Sequence, residues 1–125
     1  MGQLTAVVDT SVLIDSLEIV ETERRSAWAV SVVTVGELHA GVLLATHGPS
    51  QATRLQRLSD VLSLATVLDI TRSVAVAYGE LRMAAPGRVP ANDLWIAACA
   101  VAYDLELVTA DKRQAALPYV RAQLV

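Results

Sequence analysis

The chain of 125 residues is short of cysteine, lysine, phenylalanine and net positive charge. Cys99 stands alone, so no internal disulfide forms and no thiolate metal site can be assembled. Set in an Ala-rich helical pattern, it reads as a small buried hydrophobe. The formal charge of −3 argues against a protein that holds nucleic acid through a broad basic surface. Nine of the ten basic residues are Arg, which suits bidentate contacts to phosphate or carboxylate and is equally a compositional bias. No hydrophobic run is long: Leu94 to Tyr103 is about half of the roughly 20 residues that a spanning helix needs. The opening residues lack a basic start, and Asp9 interrupts their apolar run before it could serve as a signal segment. A cytoplasmic protein with no membrane role is expected. The glycines fall in no P-loop pattern. What is abundant is apolar content, 54%, enough for one core and hence one domain over residues 1–125.

Short β-prone runs alternate with helical ones. Leu4 to Val8 reads as a strand ending at Asp9, with Ser11 as the expected N-cap of a helix carrying Val12, Leu13, Ile14 and Leu17. The charged stretch Glu21 to Arg25 reads as a solvated turn or short helix before a second strand, Trp28 to Ser31. From about Val33 to Ala45 a helix carries apolar residues on both sides and is expected to be largely buried. After a turn and cap at Gly48-Pro49-Ser50, an amphipathic helix repeats Leu55, Leu58, Leu62 and Ala65. A third strand, Thr66 to Ile70, leads to a helix from Thr71 with Val74, Ala77, Tyr78 and Leu81 inward. Pro86-Gly87-Arg88-Val89-Pro90 breaks the chain, and Asn92 is the expected cap of an Ala-rich helix through Tyr103. A fourth strand from Leu105 to Thr109, a short helix ending near Pro118 and an edge strand from Tyr119 to Leu124 complete the pattern. Such alternation predicts an α/β fold, a three-layer α/β/α sandwich around a mainly parallel sheet of four to five strands.

Within that pattern four acids occupy odd places. Asp9 ends the first strand, Glu37 lies in the apolar second helix, Asp93 opens the Ala-rich helix and Asp111 follows the fourth strand. Any one of them reads as an ordinary cap or turn former. Together they invite another reading, because ligands of open α/β sheets sit beyond the carboxyl ends of the strands. Carboxylates crowded there raise one another's pKa, and a divalent cation resolves the conflict. Hard oxygen donors without Cys or clustered His suit Mg²⁺ or Mn²⁺, which lowers the pKa of a bound water and supplies a nucleophile for phosphodiester hydrolysis. Glu37, on an apolar surface, should meet something polar or metallic, because an unpartnered buried carboxylate costs roughly several kcal/mol.

Four segments, VVDTSVLID at 7–15, TVGELHAG at 34–41, NDLWIAA at 92–98 and LVTAD at 107–111, resemble the PIN-domain nucleases. The likeness spans nearly the whole chain and is similar in length and motif order to the VapC-like toxins of bacterial toxin–antitoxin modules. It implies a metal-dependent endoribonuclease acting on RNA, silenced by a VapB-like antitoxin whose tail can insert a basic side chain among the acids, and a homodimer. It implies Asp9 and Asp93 as direct metal ligands, with Glu37 and Asp111 acting through water. Ser11 and Thr109 match hydroxyl residues beside the acids. Where the family often continues after the last acid with an acid or Asn and an aromatic, this chain has Lys112, Arg113 and Gln114, so a second metal is in doubt. Lys112 and Arg113 stand open between gripping the RNA backbone and forming a solvated helix end. His39 and His47 are not placed as general bases, and Trp28 and Trp95 are expected in the core. Two rival phosphoryl-transfer classes fit less well: a haloacid-dehalogenase type needs Asp where Ser11 stands, and a receiver type needs an acidic pair near the first strand. A catalytically inactive PIN-fold RNA-binding or structural subunit remains the alternative.

Overall fold

Runs of three or four apolar residues bounded by polar ones become strands only when both of their faces can be covered. In the computed structural model, which describes residues 3–85 and 87–125, the runs at 6–8, 28–31 and 107–109 are buried. Met1, Gly2 and Pro86, the first residue of the expected chain break, lie outside the described residues. The elements run β1 (Ala6–Val8), α1 (Thr10–Arg24), β2 (Trp28–Ser31), α2 (Val32–Leu44), α3 (Gly48–Leu64), β3 (Thr66–Leu68), α4 (Arg72–Ala84), α5 (Ala91–Ala102), β4 (Glu106–Thr109), α6 (Lys112–Ala115) and β5 (Ala122–Leu124). The strands form one sheet in the order β3-β2-β1-β4-β5, and every pairing is parallel. Parallel neighbours need crossovers, which the helices supply.

The period of two along each strand divides the core. Val7, Ala29 and Leu107 face α4 and α5, packing with Val74, Leu81, Leu94 and Ile96. Ala6, Val8, Trp28, Val30 and Val108 face the opposite layer with Val12, Leu13, Leu58 and Val61. Small side chains at Ala97, Ala98, Cys99 and Ala100, all essentially inaccessible, let α5 lie close against its neighbours. Trp28 fills the core as expected, whereas Trp95 is only half buried and stacks on Tyr78 with ring centroids 3.9 Å apart.

Local expectations were less accurate where tertiary contacts decide. The Glu21–Arg25 stretch is the last turn of α1 rather than a separate piece, and the helix ends in a left-handed Arg25 (φ 42°) whose N–H bonds Glu21 O. Glu21 is recruited by the indole of Trp28 at 2.9 Å and by Ser26, and these donors hold its carboxyl below the usual range. A break in helical dihedrals at Ser16 (φ −131°, ψ 18°) kinks α1. The second helix is not largely buried: Thr34, Leu38 and Val42 face inward, while Leu43 and Leu44 are 67% and 75% exposed. It projects with α3 as a pair, joined by Arg54 Nη1 and Gln51 Nε2 donating to the carbonyls of Gly41 and Val42. Along α3 the buried stripe is Leu58 and Val61, leaving Leu55 and Leu62 outside. No helix among the described residues is long and apolar enough to cross a membrane.

Leu94, fully buried between α4, α5 and the sheet, tests this packing. Leu94→Ala is expected to lower unfolding free energy by about 2–5 kcal/mol in urea denaturation, and a loss under about 1 kcal/mol would contradict the described core.

Candidate active site

Because β1 and β4 are neighbours in register, with Val8 opposite Val108, the residues just past them share one edge of the sheet. Asp9 continues β1, its N–H donating to Val108 O at 2.8 Å, and then caps α1. Here the expectation is corrected: Asp9, not Ser11, is the N-cap, its Oδ2 accepting from Ser11 N at 3.1 Å. Ser11 works from two positions on, Oγ donating to Asp9 Oδ2 at 2.6 Å and accepting from Ala110 N at 3.2 Å, so it ties the end of β1 to the loop after β4. Asp9 is 4% exposed and its other oxygen accepts from Gln114 Nε2 at 3.2 Å. Three donors therefore satisfy and orient one nearly buried carboxylate.

Asp111 caps α6, accepting through Oδ1 from Arg113 N at 2.8 Å and Gln114 N at 3.4 Å. Thr109 is wholly buried, and its Oγ1 accepts from Asp111 N at 3.0 Å while donating to Gln114 Oε1 at 2.6 Å. Glu37, on the second turn of α2, is half buried and meets polar groups as expected: Thr10 Oγ1 donates to it at 2.6 Å and Asn92 Nδ2 at 3.4 Å. Asn92 is thus not the cap of α5, whose N-cap position is Pro90 with no side-chain cap bond. Thr34 Oγ1 lies 3.0 Å from Thr10 Oγ1 and extends this small network.

Asp93, in the first turn of α5, is the odd member. Among the described residues its carboxylate accepts no hydrogen bond, and its pKa is pushed up to about 6. Partial burial is the largest cause, followed by the charges of Asp9, Asp111 and Glu37, while Arg113 pulls the other way. Asp9, Asp111 and Glu37 are therefore all within electrostatic reach of Asp93. Their donors are all oxygen, and one of them lacks a partner, a combination that fits a hard divalent cation. As the side chains stand, no three His, Cys, Asp or Glu among the described residues are close enough together to hold one.

Lys112 and Arg113 are exposed on α6, with Arg113 Nε 3.8 Å from Asp111 Oδ1. His39 and His47 are exposed and take no part. Sequence reasoning missed Gln114, the most connected residue of the site. It is wholly buried, and besides its bonds to Asp9 and Thr109 it donates through Nε2 to Asp93 O at 3.0 Å. Flanked by Lys112 and Arg113 it reads as surface, and no local signal marks it. Thr10 and Asn92 were visible inside the motifs, but their bonds to Glu37 arise from contacts 27 and 55 residues apart.

A parallel sheet with acids beyond the ends of its middle strands defines a class, and comparison with known proteins gives the same one. The pattern of the PIN domain matches residues 6–118. Ribonuclease VapC4 of Mycobacterium tuberculosis is 41% identical over 130 aligned residues, covering 96% of this chain and 96% of that protein. Ribonuclease VapC5 of the same organism is 38% identical over 117 residues, covering 89% and 86%. The crystal structure of VapBC-5 from M. tuberculosis, a member of the VapBC family of toxin–antitoxin systems, superposes with a TM-score of 0.82 at 36% identity, covering 97% of this chain and 98% of that one. This chain belongs to the PIN-domain family, in its VapC ribonuclease branch.

The raised carboxyl of Asp93 makes the site a burden on the metal-free fold. A folded-state pKa of about 6 against 3.8 means that Asp93 costs no stability below about pH 4 and that stability is lost as pH rises through 6. Asp93→Asn is accordingly expected to melt higher than the parent at pH 8 in EDTA, with the difference gone at pH near 3.8, as followed by thermal denaturation. For Gln114→Leu, which strips one donor from buried Asp9 and one acceptor from Thr109, the expectation is a loss of about 1–3 kcal/mol in denaturant unfolding. Parent-like stability would show that this carboxamide does not organise the site.

Proposed function

We propose that this chain is the toxin of a VapBC-type toxin–antitoxin pair, a metal-dependent endoribonuclease that hydrolyses RNA phosphodiester bonds and is inhibited by a VapB-like antitoxin. It acts as one domain over residues 1–125, with Mg²⁺, or Mn²⁺ in its place, as cofactor. The observation that carries this reading is Asp93: a carboxylate without a hydrogen-bond partner, raised to about 6 by burial and by the three other acids. A divalent cation joining the four carboxylates would offset this repulsion and supply the partner that Asp93 lacks.

In this reading Asp9 and Asp93 are the direct ligands, and Glu37 and Asp111 hold their water. Bound there, a divalent ion supplies positive charge at the scissile phosphate and lowers the pKa of the attacking water. The chain's own part is orientation. Ser11 and Gln114 fix Asp9, Thr10 and Asn92 aim Glu37, and Thr109 holds the backbone at Asp111. Asp111 accepts only backbone N–H bonds, through Oδ1, and keeps Oδ2 for water.

Two surfaces support the partner assignments. The exposed Leu43, Leu44, Leu55 and Leu62 on the α2–α3 pair, with a concavity of about 680 Å³ between α1 and α3, offer apolar area for an antitoxin segment. On the other side of the molecule Val76 and Met83 of α4 are 57% and 88% exposed beside Tyr119, a surface suited to a second copy in a homodimer.

The decisive comparison is cleavage of structured RNAs by the parent and by Asp9→Asn, with Mg²⁺ and with EDTA. The parent is expected to cleave only with metal, and the variant to lose about 100-fold or more of the rate. Equal cleavage by both, or none by either, would end the nuclease reading. Binding of metal itself is read by melting: Mg²⁺ at about 100 times its Kd adds about 2.7 kcal/mol to the parent and markedly less to the variant.

A further inference from the structure

An acidic chain that cleaves RNA must receive a polyanion at a cluster of carboxylates, so positive charge has to be placed locally. Several of its ten basic residues are already committed elsewhere. Arg24 is held by Glu106, Gln123 and Thr5, Arg121 by Asp104, and Arg54 by the carbonyl of Gly41. On one side of the acidic centre the pattern differs. A concavity of about 430 Å³ is lined by Gly87, Arg88, Val89, Arg113, Ala116 and Leu117. Its floor is apolar and fixed, Val89 and Leu117 being 7% and 4% exposed, and its two cations are on exposed side chains, Arg113 making only a loose 3.8 Å ion pair with Asp111.

Resting on the nuclease reading above, we propose that Arg88 and Arg113 form a subsite for an RNA backbone phosphate adjoining the one that is cleaved.

Both walls of this concavity lead directly into the acidic centre. Arg113 follows Asp111 by two positions on α6, its N–H bonded to Asp111 Oδ1, and α6 is clasped to Asp9 and Asp93 through Gln114. Arg88 and Val89 enter α5, whose first turn carries Asp93. Arg82 Nη1 donates to Val89 O at 3.2 Å and holds the second wall, adding a further guanidinium behind it. Gly87 adopts φ +70°, and an added Cβ there would meet nothing within 4 Å beyond its chain neighbours. A guanidinium presents paired N–H donors that match two phosphate oxygens, which a lysine ammonium does not. Two of them over an apolar floor fit a phosphate at the rim with its ribose against Val89 and Leu117. The acidic face of a protein partner would also be drawn to two arginines, but the position beside the acids favours RNA.

The test measures binding of a short fluorescein-labelled single-stranded RNA by anisotropy over a range of salt, in the Asp9→Asn background with EDTA so that no cleavage intervenes. Arg88→Gln and Arg113→Gln are each expected to weaken binding roughly three- to tenfold and to lower the slope of log K against log[salt] by about 0.7. Arg88→Lys should keep the slope while losing part of the affinity, and Arg72→Gln, exposed at the start of α4, should match its background. In the cleaving parent, Arg88→Gln raises KM and leaves kcat nearly unchanged. Background-like affinity and slope for Arg88→Gln, or an effect equalled by Arg72→Gln, overturns the subsite, and so does a variant series that alters binding of an acidic peptide but not of RNA. If the parent cleaves while the arginine variants behave as it does, only the subsite fails. If the arginines govern RNA binding while the parent cuts nothing, the subsite stands and the nuclease reading falls.

Discussion

Like charges do not gather unless something else holds them, and in this protein the holding is done by parallel pairing of two short strands. The register of β1 against β4 puts Asp9 and Asp111 past neighbouring strand ends, a placement that costs nothing locally because each acid also caps the helix that follows. Glu37 and Asp93 arrive from α2 and α5, elements packed in opposite layers of the core. The charges of the other three bear on Asp93, and the surrounding polar residues are arranged around the group.

The response is uneven. Asp9, nearly inaccessible, takes three donors and is rigid, whereas Asp93, more open to water, takes none and carries the strain as a raised pKa. Such an asymmetry suits a ligand site. One carboxylate is preorganised by the fold, and another is left without a hydrogen-bond partner. Gln114 links the two, since its carboxamide bonds the side chain of Asp9 and the carbonyl of Asp93 while its own oxygen is fixed by Thr109. A neutral amide can do this where an acid at the same place would add a fifth charge.

Positive charge is distributed to match. Arginines at the far edges serve structure, as Arg24 does in joining the end of α1 to β4 and β5. Those near the acids, Arg88 and Arg113, lie on exposed stretches entering α5 and α6, with Arg113 in a loose 3.8 Å ion pair to Asp111. An overall negative charge is therefore compatible with an anionic substrate, because screening over about 8 Å in physiological salt makes the local field matter more than the sum.

Much of this was legible in the order of residues. The alternation of β-prone and helical runs fixed the class of fold, since a period of two or of 3.6 is a local property that each segment carries with it. Asp9, Glu37, Asp93 and Asp111 could be singled out because each breaks its local pattern. The kink at Ser16, the exposure of Leu43 and Leu44 and the inward turn of Gln114 could not be read, for an amphipathic pattern says which face is apolar but not which neighbour will be there to cover it. Nor could the caps: Asp9 and Ser11 are two residues apart and equally able to cap, and only the loop after β4, offering Ala110 N to Ser11, decides between them. Local chemistry thus determined which side chains could act, and long-range packing, which no single segment encodes, decided which of them meet.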